Sequence, residues 1–241
     1  MIKYLKHKIN GLILWLHGNK SFKATIIAAI DSKNFGIGFE GQLCWNVKVD
    51  MHFFKKTTKM KKVFGGNNVI VCGSTTFESL GFKNLPDRHM IVITRRPKIY
   101  IHTKYLKINT VETCILENIN SEQIIVIKDT KDIYTIFVDS PESVYCALRI
   151  IQDKTNKQSK VFIAGGRQIY DIFLDKNIPG ITVDDCCITY IDNTSETFKP
   201  TFNGRFDTYF PITKLIVNFK VKAVKNISKG VDIKYFKRIK L

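Results

Sequence analysis

Apolar residues gather along this chain in four short, unbroken runs: ATIIAAI (24–30), NVIVCG (68–73), HMIVIT (89–94) and KVFIAGG (160–166). Polar residues do not alternate within them, β-branched side chains are frequent, and they give way to Gly, Thr or other small residues. Runs of this length and continuity predict strands buried on both faces of a parallel sheet. Between them the period changes to that of a helix. Asp50 to Lys62 places Met51, Phe53 and Phe54 on one side and lysines on the other. After the second run, Thr75 and Glu78 have the spacing of a capping box. After the fourth, Gly165-Gly166-Arg167-Gln168 opens IYDIFL, apolar at helical spacing. SPESVYCALRIIQ (140–152) predicts an amphipathic helix capped by Ser140. Strands alternating with helices imply an α/β sheet with helices on both faces. The C-terminal VNFKVKAVKNISKGVDIKYFKRI alternates apolar and basic residues about Ser-Lys-Gly, which predicts a half-exposed hairpin. Residues 97–156 are the least regular, with the polar pieces VETCILENINSEQ and QDKTNKQ, and no internal repeat is present.

Composition adjusts this picture little. A chain of 241 residues can bury one full core, so a single domain with embellishments is expected. Lys and Arg outnumber Asp and Glu by 38 to 21, a formal charge of +17 that favours polyanionic partners or small ligands rich in phosphate and carboxylate. Basic residues are not interleaved with aromatics as on an RNA-binding face, so a solvated basic surface is the simpler reading. The six cysteines form no CxxC pair and no Cys/His spacing suited to zinc, so no metal site and a reduced, cytoplasmic setting are expected. No apolar stretch is long enough for a membrane helix. Residues 1–22 hold no acid and read as a basic N-terminal extension, with organellar targeting as the alternative.

Three features carry candidate chemistry. GIGFEG (36–41) has the G-x-G-x-x-G spacing after a strand, but Gln42-Leu43-Cys44-Trp45 does not open a helix, so it reads as a glycine loop beside a ligand. The junctions Gly73-Ser74-Thr75-Thr76 and Gly165-Gly166 could hold a dinucleotide pyrophosphate between two helix starts, with Arg95-Arg96 on a further phosphate. Tight turns and solvated arginines are the alternatives. Asp50 is the single acid between Glu40 and Glu78. It either charges the first turn of its helix or, on a face shared with Phe53 and Phe54, is a carboxyl of raised pKa able to move a proton or anchor an amidine-like ligand.

In order, these pieces resemble the dihydrofolate reductase family. IIAAIDSKNFGIGFEGQLCW is similar to the family's opening strand and glycine loop. Trp45-NVKV-Asp50, followed by Phe54 and Thr58, resembles its acid five residues after Trp. VIVCGSTTFESL, LPDRHMIVITR, IAGGRQIYDIFL, ITYID and ETFKP follow in family order. The resemblance covers roughly 24–96 and 160–241, leaving a domain at 23–241 with a long insertion around 97–158. It implies a central eight-stranded, mainly parallel sheet flanked by helices, and a C-terminal antiparallel hairpin. It also implies NADPH-dependent reduction of 7,8-dihydrofolate to 5,6,7,8-tetrahydrofolate, serving one-carbon metabolism and thymidylate synthesis. Dihydrofolate, its polyglutamates and antifolate inhibitors would be the ligands of a monomer, with no nucleic acid or membrane partner.

By that resemblance Asp50, Thr189 and Trp45 form the catalytic set. Ile27, Met51, Phe54, Lys55, Leu80 and Arg88 join Asp50 and Thr189 around the substrate, Arg88 on the glutamate α-carboxylate. Ala29 and the loop Gly36, Ile37, Gly38, Phe39, Glu40, Gly41 and Gln42 would line the nicotinamide. Thr75, Thr76, Gly165, Gly166, Arg167, Gln168 and Ile169 would hold the pyrophosphate, Thr94, Arg95 and Arg96 the adenosine end, with Thr197 completing the cofactor set. Cys44 stands where the family has Pro before Trp, Ser74 where it has Arg or Lys, and Ala164 where it has a larger aliphatic. The alternatives are a same-fold reductase acting on another pterin or a pyrimidine, and a non-catalytic nucleic-acid binder.

Overall fold

The computed structural model describes residues 21–59, 65–105, 113–119, 122–128, 132–175, 178–192 and 204–239, with the backbone alone over 113–119 and 122–123. The expected N-terminal extension therefore lies outside the described residues except for Ser21 and Phe22, and so do Met60 to Lys62 and Thr197. In chain order the first elements are β1 (Phe22–Asp31), β2 (Gly36–Gly38), α1 (Lys48–Lys59), β3 (Asn68–Gly73), α2 (Ser74–Ser79) and β4 (Arg88–Ile93). Then come α3 (Pro97–Tyr100) with a π-turn at Ile101–Tyr105, β5 (Thr113–Ile119), β6 (Glu122–Lys128), β7 (Tyr134–Val138) and α4 (Val144–Thr155). β8 (Val161–Ile163), α5 (Arg167–Asp175), β9 (Ile181–Ile191), β10 (Thr208–Tyr209), α6 (Ile212–Asn218), β11 (Phe219–Ser228) and β12 (Val231–Arg238) complete the chain.

One sheet runs in the order β11-β12-β9-β1-β8-β3-β4-β7-β6-β5. From β9 to β7 every neighbouring pair is parallel, while β12 and β11 close one end and β6 and β5 the other in antiparallel pairs. Burial on both faces is legible in the strands themselves. Ile26, Ile30, Val69, Val71 and Ile91 enter one core cluster, and their neighbours Ile27, Ile70, Cys72, Met90 and Val92 enter the other. α4 and α5 cover the first face through Leu148, Ile151, Phe173 and Leu174. Phe77 of α2 and Phe53 and Phe54 of α1 cover the second. Two faces without an exposed side explain why the runs are continuous and not alternating.

The α/β class, the helices on both faces and the C-terminal hairpin are as expected. Among the described residues the sheet has ten strands where eight were expected. The additional pair is β5 and β6, from the segment read as polar and irregular. The run Ile124-Ile125-Val126-Ile127 sends alternate side chains into both clusters, and pairing with β7 satisfies its backbone. Two helix starts also differ. Gly73 occupies the N-cap of α2 without a side-chain bond, so there is no Thr75–Glu78 capping box, and Glu78 pairs with Lys104 instead. α4 begins at Val144, not near Ser140, because Ser143 donates to Asp139 Oδ1 at 2.9 Å and lies 2.8 Å from the Ser140 hydroxyl, closing a turn first.

Candidate active site

Asp50 lies in the first turn of α1, which follows the buried pair Cys44-Trp45 and starts with Met51 N–H donating to Val47 O at 3.0 Å. Phe53 and Phe54 pack that helix on the cluster containing Ile27 of β1 and Cys187 of β9. This brings Asp50 to Thr189, a 1% exposed residue of β9 that lies opposite Ala29 on β1 and Ile233 on β12. The Thr189 hydroxyl donates to the Asp50 carboxylate. Burial pushes the Asp50 carboxyl above its usual range, and the Thr189 hydrogen bond draws it partly back. The first contribution is the larger, so the site favours a protonatable acid.

Around this acid the other substrate candidates divide. Arg88 is 2% exposed; its Nη1 donates to Thr58 Oγ1 at 2.8 Å and its Nε to Pro86 O at 3.1 Å. Thr58 donates in turn to Phe54 O at 2.7 Å, which ties the guanidinium to the helix that carries Asp50. Leu80 and Phe54 are half-buried on the same core cluster. Met51 and Lys55 are exposed and are not part of it. Trp45 is buried beside Phe206 (ring centroids 5.7 Å apart), in a cluster with Cys44, Ala29 and Phe39. The Cys44 thiol, buried and donating to Arg205 O at 3.4 Å, is pushed up to about 11 chiefly by burial. It is a packing residue.

Sequence reasoning missed Tyr170. Its hydroxyl donates to Ile27 O at 3.0 Å, beneath the Gly165-Gly166 junction, and burial above all, with Cys72 and Asp50 nearby, pushes it well up. A carbonyl has a second lone pair, so Ile27 O can still accept from a ligand. The available signal was an aromatic one turn into the helix after Gly-Gly.

The two glycine junctions lie side by side. Gly73 N–H donates to Gly165 O at 2.8 Å, and a Cβ on Gly73 would stand 3.3 Å from Ile169 Cγ1 and 3.9 Å from Gly166 N. A Cβ on Gly166 would stand 3.3 Å from Thr76 Oγ1, and one on Gly41 3.4 Å from Thr75 Cγ2. The Gly165–Gly166 peptide is cis. Thr75, Thr76, Gly165, Gly166, Ile169 and the tip of the glycine loop thus meet at one place, with Arg167 and Gln168 exposed at the start of α5. The loop itself is built: β2 pairs with β10, Phe39 and Gln42 exchange backbone bonds of 3.0 and 2.9 Å, and Glu40 N–H donates to Asp207 Oδ2 at 2.7 Å. Ile37 packs on the core beneath it. Beyond Ser74, whose carbonyl accepts from the Tyr100 hydroxyl at 3.3 Å, opens a cleft of about 440 Å³. Thr94, Arg95 and Arg96 line it, with Ile99, Tyr100, Thr103 and Lys104. A backbone cradle that a Cβ would fill, continued by a basic cleft, fits an elongated phosphate-bearing cofactor.

An α/β sheet with a half-buried acid on one face and a glycine cradle at its strand ends defines a class of small-molecule-binding protein. The dihydrofolate reductase family model matches residues 23–149. The dihydrofolate reductase of Buchnera aphidicola is 31% identical over 121 residues, half of this chain and 67% of that protein. That of Schistosoma mansoni is 42% identical over 74 residues, 30% of this chain and 39% of that protein. A bifunctional dihydrofolate reductase-thymidylate synthase of Glycine max is 28% identical over 195 residues, 79% of this chain and 30% of that protein. This chain belongs to the dihydrofolate reductase family. It spans between 15% and 39% of the length of the first curated relatives it matches, some of which carry thymidylate synthase as well.

Proposed function

We propose that this chain reduces 7,8-dihydrofolate to 5,6,7,8-tetrahydrofolate with NADPH. The observation that carries the reading is Asp50: a carboxyl raised by burial, held by Thr189, on the helix that also orients Arg88. Asp50 binds the 2-amino group and N3 of the pterin and, through water, supports protonation of N5, because its raised pKa keeps proton supply possible toward neutral pH. Phe54 and Leu80 form the apolar wall for the ring system, and Ile27 offers its carbonyl to the pterin. Arg88, its plane fixed by Thr58 and Pro86, forks onto the glutamate α-carboxylate. Trp45 backs the glycine loop, which with Ala29 excludes water from the reacting atoms. Thr75, Thr76 and Gly165 to Ile169 hold the pyrophosphate, with Thr94, Arg95 and Arg96 toward the adenosine. When bound, the reduced nicotinamide supplies the hydride. Family membership and the relatives' names support dihydrofolate as substrate. The test is to incubate purified protein with NADPH and dihydrofolate and to identify the product. Tetrahydrofolate formed in step with NADPH consumed is expected; no consumption above a protein-free control would overturn the reading.

A further inference from the structure

Asn68 is a buried amide that none of the chemistry above uses. It opens β3, is 2% exposed, and lies opposite Arg88 at the start of β4 in the parallel register of the two strands. Its Nδ2 donates to Thr58 O at 2.8 Å, and its Oδ1 accepts from Lys160 N–H at 3.2 Å, just before β8. A carbonyl on one side and an N–H on the other fix the orientation of the amide, since a flip would oppose like groups at both. Thr58 is fully buried in the last turn of α1. Its carbonyl is one of the final four of the helix, which have no partner within it, so in this buried place it needs a donor from outside. Two facing residues of the sheet therefore hold Thr58 by its two oxygens. Asn68 takes the carbonyl, and Arg88 Nη1 takes the hydroxyl at 2.8 Å. The hydroxyl is set in turn by donating to Phe54 O at 2.7 Å. An arginine has five N–H donors. Thr58 and Pro86 occupy one each, and among the described residues the others are left for a ligand.

We propose that Asn68 is a positioning residue for the carboxylate tail of the substrate: by pinning Thr58 O it holds the Thr58 hydroxyl where it fixes the plane of the Arg88 guanidinium. This rests on the reading of Arg88 as the residue that grips the glutamate α-carboxylate. The effect is confined to the tail. Asp50 stands at the other end of α1, about 12 Å of helix rise from Thr58, and has its own anchor in Thr189. β3 and β8 stay paired through their backbones when the amide is lost, so the glycine cradle that follows β8 keeps its place.

The test is steady-state kinetics of wild type, Asn68→Leu and Asn68→Ser with dihydrofolate and with a 7,8-dihydropterin that lacks the benzoylglutamate tail, with NADPH binding measured in parallel. Leucine keeps the volume and removes both hydrogen bonds; serine is too short to reach Thr58 O and puts no bulky apolar group in the amide's place. Loss of one hydrogen bond's worth of orientation predicts about a fivefold rise in the dihydrofolate KM in either variant. The kcat, the NADPH Kd and the kcat/KM of the tail-less substrate should each change less than about twofold. A loss shared by both substrates or by NADPH, or an unchanged dihydrofolate KM, overturns the role of Asn68. So does failure of both variants to fold, which makes the amide a residue of stability alone. Arg88→Ala separates this role from the reading beneath it. If that variant raises the dihydrofolate KM and the Asn68 variants do not, only the role of Asn68 falls; if it leaves the KM unchanged, the tail assignment falls as well.

Discussion

Thr189→Val isolates what positions the proton chemistry of this site. Valine matches threonine in shape and leaves the β9 backbone paired with β1 and β12, so what is removed is the hydroxyl that donates to Asp50. Two opposing effects set the Asp50 pKa: burial raises it and Thr189 lowers it. Deleting the donor leaves burial unopposed, so the pKa must rise. A hydrogen bond to a charged group contributes about 1.5–3 kcal/mol, and one pKa unit corresponds to about 1.4 kcal/mol, so the shift is about one to two units upward. The assay is the pH dependence of kcat for NADPH-dependent dihydrofolate reduction. Turnover that needs a protonatable Asp50 declines as pH rises through its pKa, and in Thr189→Val this decline should move to higher pH by about one to two units. Carbon-detected titration of the labelled carboxyl reads the same shift without turnover. A profile that stays in place, or moves to lower pH, in a variant that remains folded would refute the reasoning.

Other residues give independent tests. Because the folded-state pKa of Asp50 is raised, the folded protein binds its proton more tightly than the unfolded chain, and stability falls as pH climbs from the ordinary carboxylate range through the folded pKa. Asp50→Asn has no such charge to bury, so it should melt above wild type at neutral pH, with the difference closing in acid; a lower melting temperature at pH 7 would contradict this. A Cβ on Gly36 would overlap the Phe206 ring that packs on Trp45. Gly36→Ala should therefore cost about 1–3 kcal/mol in denaturant melts, and an unchanged midpoint would mean that the loop is not packed this way. Arg88→Ala should raise the dihydrofolate KM by about tenfold or more with a smaller change in kcat. An unchanged KM would point to a substrate without a carboxylate tail.

The sequence was most legible where one rule acted alone. The runs at 24–30, 68–73, 89–94 and 160–166 became β1, β3, β4 and β8 because burial on both faces leaves a continuous apolar signature. The hairpin about Lys229-Gly230 announced itself by alternation and a turn. β5 and β6 were missed because polar flanks masked the short run at 124–127. The capping box did not form: Gly73 occupies the N-cap, and Glu78 pairs with Lys104, distant in sequence. The same limit applied at the site. Asp50 stood out as a lone acid among lysines, but Tyr170 meets Ile27 across a sequence distance of 143 residues, and Lys104 reaches the cleft only through a π-turn that no pattern foretold.

The measurement that bears most directly on Asp50 compares Asp50→Asn with wild type in NADPH-dependent dihydrofolate reduction at neutral pH, with NADPH binding measured in parallel. Loss of a general acid or base lowers turnover by about 10²–10⁴-fold. A kcat reduced by at least about 10²-fold, with the NADPH Kd unchanged, is the predicted result. An asparagine variant that turns over as fast as wild type would contradict the role assigned to Asp50.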